Sequence, residues 1–196
     1  MTTTNAALEV RGLWFGYGPR AVLRDVSLSL GASDCYGFLG HNGAGKTTVL
    51  RLCLSLLQPS KGSIEIHGID ARAFPREARA LVGTLVERPG FHDPASALQN
   101  LVLLARLQGQ DRRRAVVDAF RVLELLSLQD HAHRHVGTFS LGMRQRLGIA
   151  QALLGTPRLL LLDEPINGLD PEGIQEVRTL LQRLSREDGI SILLSS

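Results

Sequence analysis

The chain has 196 residues, a formal net charge of +3, 44% hydrophobic residues and 21% charged residues. That composition describes a folded globular protein and excludes a disordered or fibrous one. No apolar run is long enough for a membrane span, and Met1-Thr2-Thr3-Thr4-Asn5 lacks the charged and apolar regions of a secretory leader. The basic excess is arginine spread along the chain, the only lysines being Lys46 and Lys61, so no nucleic-acid partner is expected.

In chain order, Leu8 to Phe15 alternates in part and predicts a first strand. Tyr17-Gly18-Pro19 predicts a turn, and Val22 to Leu30 a second strand with Val22, Val26, Leu28 and Leu30 inward. After a turn at Ala32-Ser33-Asp34, the run Tyr36-Gly37-Phe38-Leu39 predicts a buried strand. It leads into Gly40-His41-Asn42-Gly43-Ala44-Gly45-Lys46-Thr47-Thr48, which fits the phosphate-loop pattern G-x-x-x-x-G-K-[ST]. Val49, Leu50, Leu52, Cys53 and Leu56 then have helical spacing. Strand, glycine-rich loop and helix form the context this motif needs. Glycines let backbone N–H groups approach phosphate oxygens, and the helix start directs its positive end at them. Lys46 is expected to reach the β- and γ-phosphates of a nucleotide, and the Thr47 hydroxyl to bind Mg²⁺. Cys35 and Cys53 lie in apolar patterns, which predicts buried core thiols in a reducing compartment.

Pro59-Ser60-Lys61-Gly62 predicts a turn, Ile64 to Ile66 a short strand, His67-Gly68 a turn, and Leu81 to Val86 another strand. From Pro89 to Pro157 the pattern is mostly helical. Leu98, Leu101, Val102, Ala105 and Leu107 form one series and Val116, Phe120, Leu123 and Leu126 another; Arg112-Arg113-Arg114 reads as a solvated helix start. His131, His133 and His135 have no supporting cysteine or carboxylate pair and read as loop polarity, not a metal site.

Leu159-Leu160-Leu161-Leu162 predicts a central parallel strand buried on both faces, with Asp163 and Glu164 at its C-terminal end, where open α/β sheets bind ligands. Asp163 is expected to hold the Mg²⁺ hydration shell. Glu164, one residue further, is expected to orient or deprotonate the attacking water. Glu172 to Arg186 predicts an amphipathic helix and Ile190 to Leu194 a strand. The fold expected is α/β: a mixed core sheet with a phosphate-loop βα unit, an N-terminal antiparallel part and a helical insert.

Phe139-Ser140-Leu141-Gly142-Met143-Arg144-Gln145-Arg146-Leu147, set between the phosphate loop and the acidic pair, resembles the signature motif of ATP-binding cassette (ABC) transporters, usually Leu-Ser-Gly-Gly-Gln. Nearly the whole chain, from Leu8 to Ser196, is similar to the nucleotide-binding domain of that family. The resemblance implies a P-loop ATPase core over 1–88 and 158–196, a helical subdomain over 89–157, and ATP with Mg²⁺ as ligands. It implies a head-to-tail dimer, of like or similar cassettes, in which Ser140 and Gly142 of one subunit cover the γ-phosphate held by the other. Tyr17 then corresponds to the ring that stacks on adenine. Glu87 stands at the glutamine of the Q-loop, as a further catalytic and Mg²⁺-facing group. Asn167-Gly168-Leu169-Asp170 corresponds to the D-loop, with Asp170 at the nucleotide interface.

Glu87 in place of glutamine, and Leu141 and Met143 in the signature, depart from the usual pattern and resemble the bacitracin and lantibiotic exporter branch. The resemblance therefore implies an ATPase that drives a separate membrane permease from the cytoplasmic face, exporting peptide antibiotics or other drugs. A soluble ABC ATPase of translation, repair or cofactor assembly is the alternative. In the family a switch histidine follows the last strand. Ser196 therefore reads as the end of a fragment, which leaves a non-catalytic truncated cassette as a further reading.

Overall fold

The computed structural model describes residues 6–41, 43–86 and 89–196. Asn42 and Glu87, both singled out above, lie outside the described residues. The expected mixed core resolves into two sheets. An antiparallel sheet has the order β2-β1-β4-β5, from β1 (Ala6–Tyr17), β2 (Arg20–Gly31), β4 (Lys61–Ile66) and β5 (Ile69–Asp70). A parallel sheet has the order β3-β8-β7-β6, from β3 (Cys35–Phe38), β6 (Val82–Leu85), β7 (Leu159–Leu162) and β8 (Ser191–Ser195). The helices are α1 (Lys46–Cys53), α2 (Pro75–Ala80), α3 (Ala97–Leu107), α4 (Arg112–Leu125), α5 (Leu141–Ala152) and α6 (Pro171–Arg186).

The parallel sheet divides two apolar clusters, because side chains alternate across a strand. Leu160, Leu162 and Ile192 face α3, α4, α5 and α6, whereas Leu159, Leu161 and Leu193 face α1 and the antiparallel sheet. All four leucines of β7 are buried on one face or the other, and each contributes on the order of 1.5–3 kcal/mol through burial. The helical segment shares its cluster with the parallel sheet and α6. Its signature helix α5 crosses β6 closely. A Cβ on Gly83 would lie 1.8 Å from the Ala152 carbonyl oxygen, and one on Gly148 would lie 2.9 Å from the Pro89 ring.

Several sequence expectations are corrected. β3 is not a buried strand: among the described residues it pairs on one side only, with β8, and Tyr36 is 55% exposed. Cys35, on that strand, is exposed, whereas Cys53 is buried. Helix α1 ends at Cys53 because Ser55 takes the left-handed conformation at φ 53, so Leu56 leaves the helix and faces solvent. In β2, Leu23 is buried deeper than Val22 or Val26, since the β1–β2 register shifts between Leu13 and Phe15. Lys61 and Gly62 belong to β4, not to a turn. In α4 the inward face is Ala115, Ala119, Val122 and Leu123, while Phe120 is exposed and stands edge-on to His133. His131 stands edge-on to Phe139, and among the described residues no cluster of His, Cys, Asp or Glu could hold a metal ion.

Candidate functional site

The phosphate loop, the acidic pair and the end of β8 converge at the C-terminal end of the parallel sheet. Parallel strands carry their loops there, and that is where such sheets bind ligands. The loop enters α1 through Gly45 at φ 94, a conformation that favours glycine, and a Cβ there would also meet Leu23 Cδ2 at 2.6 Å. Gly43 at φ 83 has open space around it. Helices α3, α4, α5 and α6 are capped by the side chains of Ser96, Asp111, Ser140 and Asp170, but among the described residues no side chain caps α1. Its first N–H groups thus remain available to an anion.

Lys46 is buried to 6% exposure, and its Nζ donates to the Gly40 carbonyl. Among the described residues no carboxylate lies within ion-pair distance of it. A buried cation held by a carbonyl alone is an electrostatic deficit that a phosphate would fill. Thr47, next in the helix, donates from Oγ1 to Oδ2 of Asp163 at 2.6 Å, joining the loop to the acidic pair across 116 residues. A hydroxyl and a carboxylate in contact form a hard oxygen donor set, which fits Mg²⁺ beside phosphates. Thr48 is buried in the same turn, whereas His41 is exposed and its carbonyl accepts from Ala44.

Glu164 is half-buried and holds a left-handed backbone at φ 48. Its Oε2 accepts from Asn167 Nδ2 at 2.8 Å. Gln145 of α5 donates to the Pro165 carbonyl at 2.7 Å and so fixes the loop that follows. A cleft of about 690 Å³ opens here between Thr47, Asp163, Glu164, Gln145 and Phe91. Asn167 and Gln145 were visible in the sequence only as members of the D-loop and signature stretches. Ser195 belongs to no motif in the sequence, yet it is fully buried and bonded to both acidic positions.

Ser140, Gly142 and Asp170 are brought together in an adjoining cleft of about 450 Å³, which Arg146 also lines and which shares Leu141 and Gly168 with the first. The Ser140 Oγ accepts from Met143 N at 3.2 Å and the Asp170 carboxylate from Gly173 N at 3.2 Å, so each caps its own helix. Neither residue lines the cleft of Thr47 and Asp163. Tyr17 ends β1 with an exposed ring, edge-on to Phe15 at 4.9 Å.

The sequence pattern of the family described as ABC transporter matches residues 23–167. The bacitracin transport ATP-binding protein BcrA of Bacillus licheniformis is 45% identical over 180 residues, covering 92% of this chain and 58% of that protein. The lantibiotic transport ATP-binding protein SrtF of Streptococcus pyogenes is 36% identical over 192 residues, covering 96% of this chain and 79% of that protein. The structure of cbiO1 from Clostridium perfringens, part of the ABC transporter complex cbiONQ, superposes with a TM-score of 0.85 at 26% identity, covering 98% of this chain and 78% of that one. The chain spans about three-fifths of the length of BcrA-like relatives, 58% in the Bacillus licheniformis protein and 60% in that of Enterococcus faecalis. With most of its length matched by the family pattern and its core arranged as described, the chain belongs to the ABC transporter family, as one of its ATP-binding domains.

Proposed function

We propose that this chain binds ATP with Mg²⁺ and hydrolyses it to drive a membrane permease carried on another chain. The observation that carries the reading is the Thr47–Asp163 contact beside the buried Lys46, which has no carboxylate partner among the described residues. The α1 N–H groups and Lys46 cradle the β- and γ-phosphates, placing the γ-phosphorus near the acidic pair. Thr47 and Asp163 would hold Mg²⁺, which supplies charge neutralisation on the phosphate oxygens. Glu164 orients a water and accepts its proton as the water oxygen bonds the γ-phosphorus and the β–γ bridge oxygen leaves with ADP. Tyr17 contributes a ring for adenine, and Glu87, at the family's glutamine position in the sequence, an oxygen ligand.

That Ser140, Gly142 and Asp170 line a cleft without Thr47 or Asp163 supports a head-to-tail pair of cassettes. In it the Ser140 end of one chain closes the nucleotide of the other. Residues 1–88 and 158–196 form the nucleotide core and 89–157 the helical part of one domain. Among the described residues no helix is long and apolar enough to cross a membrane, which suits a subunit held at the inner membrane face by its permease. Relatives named for bacitracin and lantibiotic transport favour export of peptide antibiotics.

The test is nucleotide affinity, read with a fluorescent ATP analogue. Lys46→Ala should weaken it by about 10–100-fold, the loss of a charge-assisted contact to a polyanion. Glu164→Gln should keep the affinity and slow hydrolysis by about 10²–10⁴-fold, with an ATP-dependent dimer accumulating on size-exclusion chromatography. Unchanged affinity in Lys46→Ala would refute the phosphate-loop assignment.

A further inference from the structure

Ser195 closes β8 and is wholly buried. Its hydroxyl donates to Oδ1 of Asp163 at 2.5 Å and accepts from the backbone N–H of Glu164 at 3.0 Å. With Thr47 on Oδ2 at 2.6 Å, the Asp163 carboxylate is gripped at both oxygens, from two different elements. A serine hydroxyl has one proton and two lone pairs, and here the proton goes to the carboxylate while a lone pair takes the next residue's N–H. That N–H belongs to Glu164, whose left-handed backbone persists only if its surroundings hold it. The following residue, Ser196, donates its N–H to the Phe38 carbonyl at 3.2 Å, and its own carbonyl accepts from Gly40 N at 3.4 Å. The end of β8 is therefore registered against the phosphate loop on one side and the acidic pair on the other.

The structure assigns to Ser195 the role of positioning residue for both acidic groups. It fixes the direction in which Asp163 presents its carboxylate to a divalent cation, and the backbone turn from which Glu164 departs. The assignment rests on the nucleotide-and-metal reading above and adds to it a residue that touches neither nucleotide nor water. Alanine at 195 would remove the serine partner from one carboxylate oxygen of the half-buried Asp163 and from the N–H of the half-buried Glu164. Asp163 would then be free to rotate away from the cation, while the phosphate loop keeps its own contacts.

The experiment titrates Mn²⁺ by electron paramagnetic resonance against this chain with a non-hydrolysable ATP analogue. Ser195→Ala should raise the half-saturating Mn²⁺ concentration about tenfold and leave metal-free analogue affinity within about twofold. In an Asp163→Ala background the same substitution should add nothing, because Ser195 acts through that carboxylate. Ser195→Cys, which leaves no cavity but replaces a strong donor with a weak one, should lose metal affinity like alanine and guards against a cavity defect. Equal losses in the two backgrounds, or no loss of metal affinity, overturn the proposal. A wild-type chain that binds no analogue overturns the nucleotide reading first and this proposal with it. Normal wild-type binding with an unaltered Ser195→Ala overturns this proposal alone.

Discussion

Gly83→Ala probes how the signature helix is seated. Gly83 lies in β6, opposite Leu160 of β7, and its Cβ would stand 1.8 Å from the Ala152 carbonyl oxygen and 2.8 Å from Leu160 Cδ2. Real Cβ atoms essentially never approach closer than 3.0 Å, so the end of α5 must withdraw by about 1.2 Å or β6 must leave its register. The obstructing atom is backbone at a helix end, not the tip of a flexible side chain, so the strain cannot be relieved by a rotamer change. Overpacking of this kind costs about 2 kcal/mol, which for a chain of this size lowers the melting temperature by about 4–8 °C. Gly37→Ala in β3 is the matched control, because nothing lies within 4 Å of the Cβ it would add and its φ is ordinary for a strand. There the lost chain entropy of glycine should leave stability unchanged or raised by about 0.5 kcal/mol. Thermal melts of the two variants beside wild type give the answer. Equal shifts in the two would show that α5 and β6 are not in the close contact described, and the seating of the signature helix would have to be abandoned.

Thiol chemistry should separate the cysteines: burial pushes Cys53 up to about 12, whereas Cys35 is exposed on the edge strand. An aromatic disulfide reagent at pH 8 should therefore modify one thiol in the native chain and both after denaturation, and two fast native thiols would contradict the packing of α1. His67 should make stability fall on acidification. Burial first, and then the nearby Arg158 guanidinium, hold its imidazole below the ordinary value, with a partial offset from a hydrogen bond to the Arg158 backbone. The folded form thus resists a proton that the unfolded chain accepts below about pH 6.5, so stability is whole above that pH and declines beneath it. His67→Asn, suited to the left-handed φ of 48 at this turn, should flatten the difference between urea midpoints at pH 7.5 and 5.5; an undiminished difference would remove His67 as the cause.

The elements legible in the sequence are those whose signal is local and whose burial is two-sided or one-sided without exception. Leu159 to Leu162 suits an interior strand and the amphipathic run from Glu172 to Arg186 a helix, and both form, the helix starting at Pro171. The misread elements depend on what lies beside them. Tyr36 to Leu39 is apolar enough for a core, yet β3 has one strand neighbour among the described residues and its side chains meet solvent. The helical spacing of α1 runs on to Leu56, but Leu56 N turns back to the Arg51 carbonyl at 2.9 Å and ends the helix first. In α4 the buried face takes the small Ala115 and Ala119 beside Val122 and Leu123 and leaves the bulkier Phe120 outside, which a ranking by hydrophobicity alone does not foresee.

The candidate site divides along the same line. The phosphate loop, Asp163 and Glu164 announce themselves because their chemistry requires fixed residue types at fixed spacing. The parts that hold them do not. Gln145 steadies the acidic loop through a backbone carbonyl, which places no demand on the identity of Pro165. Ser195 interrupts an apolar strand with a small polar residue, a pattern that by itself signals only a strand end. Its meaning comes from the parallel register that sets Leu194 beside Leu162, so that Ser195, the last residue of β8, faces Asp163, the first after β7, across the gap. That register, not any spacing in the chain, brings a hydroxyl within 2.5 Å of the Asp163 carboxylate. A neighbouring strand in another register would leave the same acidic pair in the sequence with one carboxylate oxygen unheld, and the geometry around a bound cation would be lost with no change in the motif.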